Sequence, residues 1–281
     1  MKKTKKIRFG AVIMTLSMIV GLLAIPAPVQ AASKTTSIYV LKSSASSSGD
    51  EGESGSWTSS YKYGYNKNGL VKKCDAKLSV YKYTYKNDRL IKLTDTPSEG
   101  YDSLGSEKNT YSYDKKGRIK KMVSVTKDPD TGKTTTTTST LSYDSKNRIT
   151  KMMIKAEGEY PLEVSYSYTY NSKGQLAEEV TDDGSVSVSY EYDKKGNLEK
   201  SVYFYKYDGG ELTTNVTYKN TYDKKGNLVK AAKTYEYSDP SYSPYAETVI
   251  YKYRKITVPK KYIKQIKDQQ RKMILYNVFT I

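Results

Sequence analysis

The sequence contains no histidine. That removes the commonest general base and the commonest metal ligand, so Ser-His-Asp chemistry and His-based zinc sites are excluded. Cysteine is nearly absent as well. Cys74 stands alone, no intramolecular disulfide can form, and stability must come from sheet hydrogen bonds and packing. Other copies of the repeat described below carry Val, Met or Ala where Cys74 falls, so it reads as a small buried apolar residue even with Lys72 and Lys73 beside it. Phe and Trp number three and one, whereas Tyr numbers 30, all beyond residue 31. A Tyr-rich, Ser/Thr-rich, Leu-poor chain favours strands with partly buried faces over disorder, because its polar and apolar residues alternate regularly.

One apolar run is present, Gly10 to Ile25, preceded by Lys2, Lys3, Lys5, Lys6 and Arg8 and closed by Val29-Gln30-Ala31. It reads as a secretory signal peptide over residues 1–31, removed after Ala31. At 16 residues the run is short of the ~20 that a helical span requires, and an uncleaved anchor is the alternative. No second apolar run follows, so no membrane span is expected in the mature chain. Cleavage takes five positive charges and no acidic ones from the formal +17, leaving +12. A basic extracellular protein is drawn to polyanions. The Lys residues are spread through every turn rather than gathered in one patch, which points to a solubilising surface before a dedicated anion site.

The stretch Tyr111–Lys121, Y-S-Y-D-K-K-G-R-I-K-K, carries the organising unit. Two Tyr two residues apart share one face of a strand. Asp114 suits the first position of a type I turn and Gly117 the left-handed residue after it, as in a three-residue hairpin loop with a G1 bulge. The unit recurs with its second Tyr at 65, 85, 113, 143, 170, 192 and 222, the first Tyr being replaced by Leu141 in the fourth unit and by Asn220 in the seventh. The second unit has Asn87-Asp88, which suits a two-residue type I′ turn, and the fourth replaces Gly by Asn147. Spacings of 20 to 31 residues allow two strands and two turns per unit, with Tyr251 and Tyr253 as an eighth start that has lost its turn. The returning strand is predicted to alternate, as in Ile119, Lys121 and Val123, in Leu198, Lys200 and Val202, and in Leu228, Lys230 and Ala232.

The predicted fold is all-β, a repetitive antiparallel β-hairpin meander, elongated or curled, with a short C-terminal capping helix. The expected divisions are a signal peptide at 1–31, an N-terminal strand and Ser/Gly-rich loop at 32–60, the repeats at 61–258 and a helical cap at 259–281. In the second division Ile38-Tyr39-Val40-Leu41 is read as a strand and Ser43–Ser60 as a flexible loop or arm, with Trp57 packing back onto the sheet edge. In the last, Ile263, Ile266, Met273 and Ile274 give an amphipathic helix that covers the last strand edge.

The unit Y-x-Y-D-x-x-G-x-[LI] resembles the YD repeat of Rhs-type and teneurin-type proteins. It does so through Tyr111, Tyr113, Asp114, Gly117 and Ile119, through Tyr190, Tyr192, Asp193, Gly196 and Leu198, and through Tyr222, Asp223, Gly226 and Leu228. The resemblance implies an antiparallel β array outside a bacterial cell. In the large family members many such repeats spiral into a hollow shell around a toxin. With few units and no long C-terminal domain, this chain is expected to be too short to close such a shell.

Each turn supplies a single Asp, whereas hard cations take six or more converging oxygens, so the Asp residues are read as turn caps and no metal or other cofactor is expected. Glu157, Glu159 and Glu163, and Glu178, Glu179, Asp182 and Asp183, include pairs near enough in sequence for glycoside hydrolysis, but are read as turn or exposed strand residues. The pairs Tyr63 and Tyr65, Tyr83 and Tyr85, Tyr111 and Tyr113, Tyr168 and Tyr170, and Tyr190 and Tyr192 form a candidate ligand-binding aromatic ladder. Against that stands the reading of these rings as the hydrophobic layer of a thin sheet. The expected function is a secreted, non-enzymatic binding or adhesion module at the cell surface or in the medium. Its expected partner is an extracellular polysaccharide, a cell-wall polymer or a surface protein, with no specific nucleic-acid binding. A Rhs-like toxin-delivery or encapsulation accessory is the alternative, and a wall glycan hydrolase the third reading.

Overall fold

The structure, a computed structural model, describes residues 34–48, 57–157 and 162–276. The predicted signal peptide, the acidic residues Asp50, Glu51 and Glu53, Glu159 and the side chain of Trp57 lie outside the described residues. The chain forms β1 (Thr35–Ser48), β2 (Trp57–Tyr65), β3 (Val71–Ala76), β4 (Ser79–Lys86), β5 (Arg89–Pro97), β6 (Ser106–Tyr113), β7 (Ile119–Lys127) and β8 (Thr134–Tyr143). It continues through β9 (Ile149–Glu157), β10 (Leu162–Tyr170), β11 (Leu176–Thr181), β12 (Val186–Tyr192), β13 (Leu198–Tyr207), β14 (Gly210–Tyr222), β15 (Leu228–Tyr237) and β16 (Tyr245–Pro259). A 3-10 turn, Lys260–Tyr262, then leads into the helix α1, Ile263–Tyr276.

Each strand pairs antiparallel with the next, and β16 pairs with β1 from Thr35 opposite Pro259 to Ser48 opposite Glu247. The predicted all-β hairpin meander is therefore present, and it curls until it closes on itself as a 16-stranded barrel. A bulge in every repeat explains the closure, since each one bends and twists the strand that carries it. Closure also removes both sheet edges.

Of the loop predicted for Ser43–Ser60, the described residues, 43–48 and 57–60, are strand. Ser44 and Ser46 are buried in the wall, where Ser44 Oγ lies 2.9 Å from Tyr63 Oη and Ser46 Oγ lies 2.7 Å from Ser59 Oγ. Cross-strand partners satisfy the hydroxyls, so Ser-rich composition does not signal a loop here.

The turns follow the predicted stereochemistry. Asp114 N donates to Arg118 O at 2.8 Å and Gly117 N to Asp114 O at 2.9 Å, with Gly117 at φ 79°. Asn147 takes the left-handed place of Gly at φ 63°, and Asn87 and Asp88 both have positive φ. Beyond the turn lies a second irregularity that the alternation did not reveal. Tyr113 faces Ile119 but Ser112 faces Lys121, and the same one-residue shift occurs in all seven hairpins. An extra residue inverts the strand parity. The inner face therefore carries Ile119, Met122 and Ser124, and Leu198 and Leu228 are followed inward by Ser201 and Ala231, not by Val202 and Ala232.

The barrel offers no edge for α1 to cover, and the helix lies across one mouth instead. Near its start, Tyr262 Oη donates to Asp88 Oδ2 at 2.7 Å, and near its end Ile274 O accepts from Tyr251 Oη at 3.2 Å. Between them its glutamines serve backbone groups beside the bulges. Gln269 Oε1 accepts from Val71 N at 3.0 Å, and Gln270 joins Leu41 N and Tyr39 O. The seat for the first turn is apolar because Leu70 occupies the place that Arg118 and Arg148 take in their own turns. It packs with Val40, Val258, Tyr262 and Ile266. Met273 is buried in the main core with Cys74, whose thiol is pushed up to about 12 by burial.

Candidate binding surfaces

The two rings of each Tyr pair share a face, as predicted, and that face is the inner one. Tyr63, Tyr83, Tyr111 and Tyr168 are core residues, while Tyr65, Tyr85, Tyr113, Tyr170 and Tyr190 pack against them part-buried. Tyr192 is also part-buried, and burial pushes its phenol up to about 12. The second Tyr of a pair reaches back to the preceding unit. Tyr85 Oη donates to Val71 O at 2.8 Å, Tyr113 to Leu90 O at 2.6 Å, Tyr143 to Ile119 O at 2.6 Å and Tyr170 to Ile149 O at 2.8 Å. The series continues around the closure, with Tyr253 donating to Leu228 O at 2.9 Å and Tyr65 to Leu41 O at 2.6 Å. Tyr222 departs from it and donates to the Asp193 carboxylate. Each acceptor lies beside a bulge, and all but Leu41, in the middle of β1, lie at or next to the start of their strand. The row of hydroxyls thus staples one hairpin to the one before.

A cation covers most of these rings from the neighbouring turn. Arg118 lies 4.5 Å from the Tyr143 ring centroid, Arg148 4.6 Å from Tyr170, and Lys195 4.0 Å from Tyr222. The pattern crosses the closure through Lys225 over Tyr39 at 4.1 Å and Arg254 over Tyr65 at 5.3 Å. Such contacts contribute on the order of 0.5–1 kcal/mol each at exposed sites. Arg118 is also held by its own turn, with Nε 2.7 Å from Asp114 Oδ2. The turn carboxylates cap as predicted: Asp114, Asp144, Asp193 and Asp223 accept from the backbone N–H four residues on. Among the described residues no three acidic or Cys side chains converge on a metal-sized space.

The barrel changes the meaning of the lysines. Each unit contains two strands, so every YD-type turn returns to the same end. The seven turns there hold eleven Lys and Arg against five Asp. The helix that crosses this mouth, with its leading 3-10 turn, adds Lys260, Lys261, Lys264, Lys267 and Arg271 against Asp268, while Lys272 is buried. Lys115, Lys116, Lys194, Lys195, Lys224 and Lys225 are exposed, as are Lys261, Lys264 and Lys267. What the linear sequence spreads, the fold gathers into a basic end face.

Two charged groups lie within the wall. Glu247 is buried and pairs with Lys233 Nζ at 3.0 Å, while Tyr235 Oη donates to the same oxygen. Glu179, predicted at a turn or exposed face, has 2% of its surface exposed. The bulge after Leu176 turns Glu179 inward instead of Glu178. Its Oε1 accepts from Tyr190 Oη at 2.5 Å, and burial pushes the carboxyl up to about 7.

Residues 129–240 match the teneurin YD-shell family. Over that segment the hairpins are similar to YD repeats. The match takes in the turns at Asp144, Asn171, Asp193 and Asp223, and the hairpins before it have the same bulge and the same Tyr staple. A porin-like protein from Bacteroides uniformis is similar in structure at 14% identity, over 76% of this chain and 96% of that one, with a TM-score of 0.49. The TcdB2-TccC3-Cdc42 structure is similar at 13% identity over 68% of this chain and 12% of that one, with a TM-score of 0.34. No curated protein matches. The ten paired tyrosines named from sequence face the barrel interior. The basic end was not found from sequence, although the even number of strands per repeat is the signal that gives it.

Proposed function

We propose that this chain is a secreted, non-enzymatic YD-repeat barrel that acts outside the cell as a binding module for an anionic wall polymer or polysaccharide. The observation that carries this reading is the gathering of the turn and helix cations at one end, where a polyanion meets many charges at once. The paired tyrosines of the hairpins are engaged inside the wall, so the contact surface is the outside of the barrel. That outside is polar: paired outward positions such as Lys121 with Thr140 and Thr217 with Thr234 are hydrophilic, unlike the apolar band of a lipid-embedded barrel.

Retention of the purified chain on isolated cell walls and on arrays of anionic and neutral glycans tests the reading. Binding to the anionic members is expected, weakening steeply with salt and lost in the triple variant Lys115→Glu, Lys194→Glu, Lys224→Glu. Failure to bind any of them at physiological salt, with no partner in pull-downs, would refute it. Release of sugar from the walls would overturn the non-enzymatic part. The YD-shell match favours one second reading, a Rhs-like delivery accessory, for which a toxin and its immunity protein should be encoded alongside.

A further inference from the structure

The end opposite α1 has a different composition. Its six described connections, 77–78, 98–105, 128–133, 182–185, 208–209 and 238–244, hold eight Asp and Glu against Lys77 and Lys133. The same end exposes large apolar side chains: Leu78 at 46%, Leu104 at 51%, Tyr207 at 56%, Tyr242 at 52% and Tyr245 at 39%. Tyr245 is already ordered by stacking on Tyr235, with ring centroids 4.2 Å apart. Exposed Tyr and Leu surrounded by carboxylates form a surface that a broad, cationic, preorganised partner would fit, because aromatic faces and carboxylates both attract Lys and Arg.

We infer that this acidic, tyrosine-bearing end docks the basic, helix-covered end of a second copy, so that barrels stack head to tail. The two faces terminate the same ring of strands and so match in outline, and their charge imbalances are opposite in sign. Like ends repel, which disfavours a two-fold dimer. A heterologous contact with no closing rotation extends into an open stack. The inference goes beyond the polymer-binding proposal and holds whether or not the basic end also takes an anionic polymer.

Sedimentation velocity and small-angle scattering of the purified chain, at ~20 mM and ~1 M salt, test it. Species that grow with concentration and lengthen along one axis are expected at low salt, and monomer at high salt. Two charge-reversed variants locate the faces: Glu99→Lys/Asp130→Lys/Asp208→Lys at the acidic end and Lys115→Glu/Lys194→Glu/Lys224→Glu at the basic end. Each alone should stay monomeric, and a 1:1 mixture should associate again, which also shows that both are folded. Tyr207→Ser with Tyr242→Ser should weaken stacking about tenfold at unchanged net charge. A wild-type chain that stays monomeric at low salt, or association unaffected by either triple variant, would overturn the inference. Polyanion binding without self-association would overturn it too, while leaving the polymer-binding proposal standing.

Discussion

Glu179 gives the sharpest energetic prediction. Its carboxyl is buried in the barrel wall, with Tyr190 donating to Oε1 and no partner for Oε2. Burial raises its pKa from 4.5 to about 7. The folded state therefore holds this proton more tightly than the unfolded chain, so the folded form gains at low pH. Stability should fall as pH rises from about 4.5 through 7, with the full penalty present above that. At 1.36 kcal/mol per pKa unit, the penalty is about 3 kcal/mol at pH 8. Glu179→Gln keeps the acceptor for Tyr190 and cannot ionise. Its NH2 group takes the unpartnered position at a cost of about 1 kcal/mol, so the net gain at pH 8 is about 2 kcal/mol. Urea titrations of both proteins at pH 5, 6, 7 and 8 provide the check, because their difference cancels every other titrating group. The variant should gain on the wild type steadily across this window. Parallel pH profiles would refute the claim that Glu179 is buried and uncompensated.

Three further substitutions probe the turns, the staples and the seat of the helix. Gly69→Ala should cost about 3 kcal/mol in thermal melts, because φ is +80° and the new Cβ would lie 2.5 Å from Val258 Cγ1. Gly174→Ala, at φ +75° with open space around it, should cost only about 1 kcal/mol. Tyr143→Phe removes the bond to Ile119 O while keeping the ring under Arg118, and should cost about 1 kcal/mol in urea titrations. Leu70→Arg installs the residue that the turns at Asp114 and Asp144 carry, but places a charge among Val40, Val258 and Ile266. Limited proteolysis should then cut α1 well before the barrel, whereas unchanged protection would contradict the seat described for it.

Turn geometry was the most legible part of the fold, because few residue types tolerate positive φ. Asn87-Asp88, Asn147 and Gly117 gave it away residue by residue. The shared face of each Tyr pair was legible from period-two spacing, but which side that face took depends on closure, a property of the whole ring. Parity after the turn was not legible. A single inserted residue beside Tyr113 decides whether Val123 or Ser124 points inward, and nothing in I-K-K-M-V-S marks the insertion. The same insertion hid the choice between Glu178 and Glu179. Ser43–Ser48 was misread because composition does not show the partners that Tyr63 and Ser59 provide. The basic end was hidden by reading spacing along the chain instead of counting strands around the barrel.

Closure of β16 on β1 is tested most directly by a crosslink between Ser37 and Thr257. The two residues face each other across the strands, with hydroxyls 3.5 Å apart and a separation of 220 positions in sequence. Their Cα separation as a register pair, about 4.5–5.5 Å, suits a disulfide. Cys74 is buried and will not compete. Mild oxidation of the folded Ser37→Cys/Thr257→Cys variant should join the two positions within one chain, read as a single disulfide-linked peptide pair by mass spectrometry after digestion. Free thiols at both positions, or links formed only between chains, would show that the repeat sheet does not close.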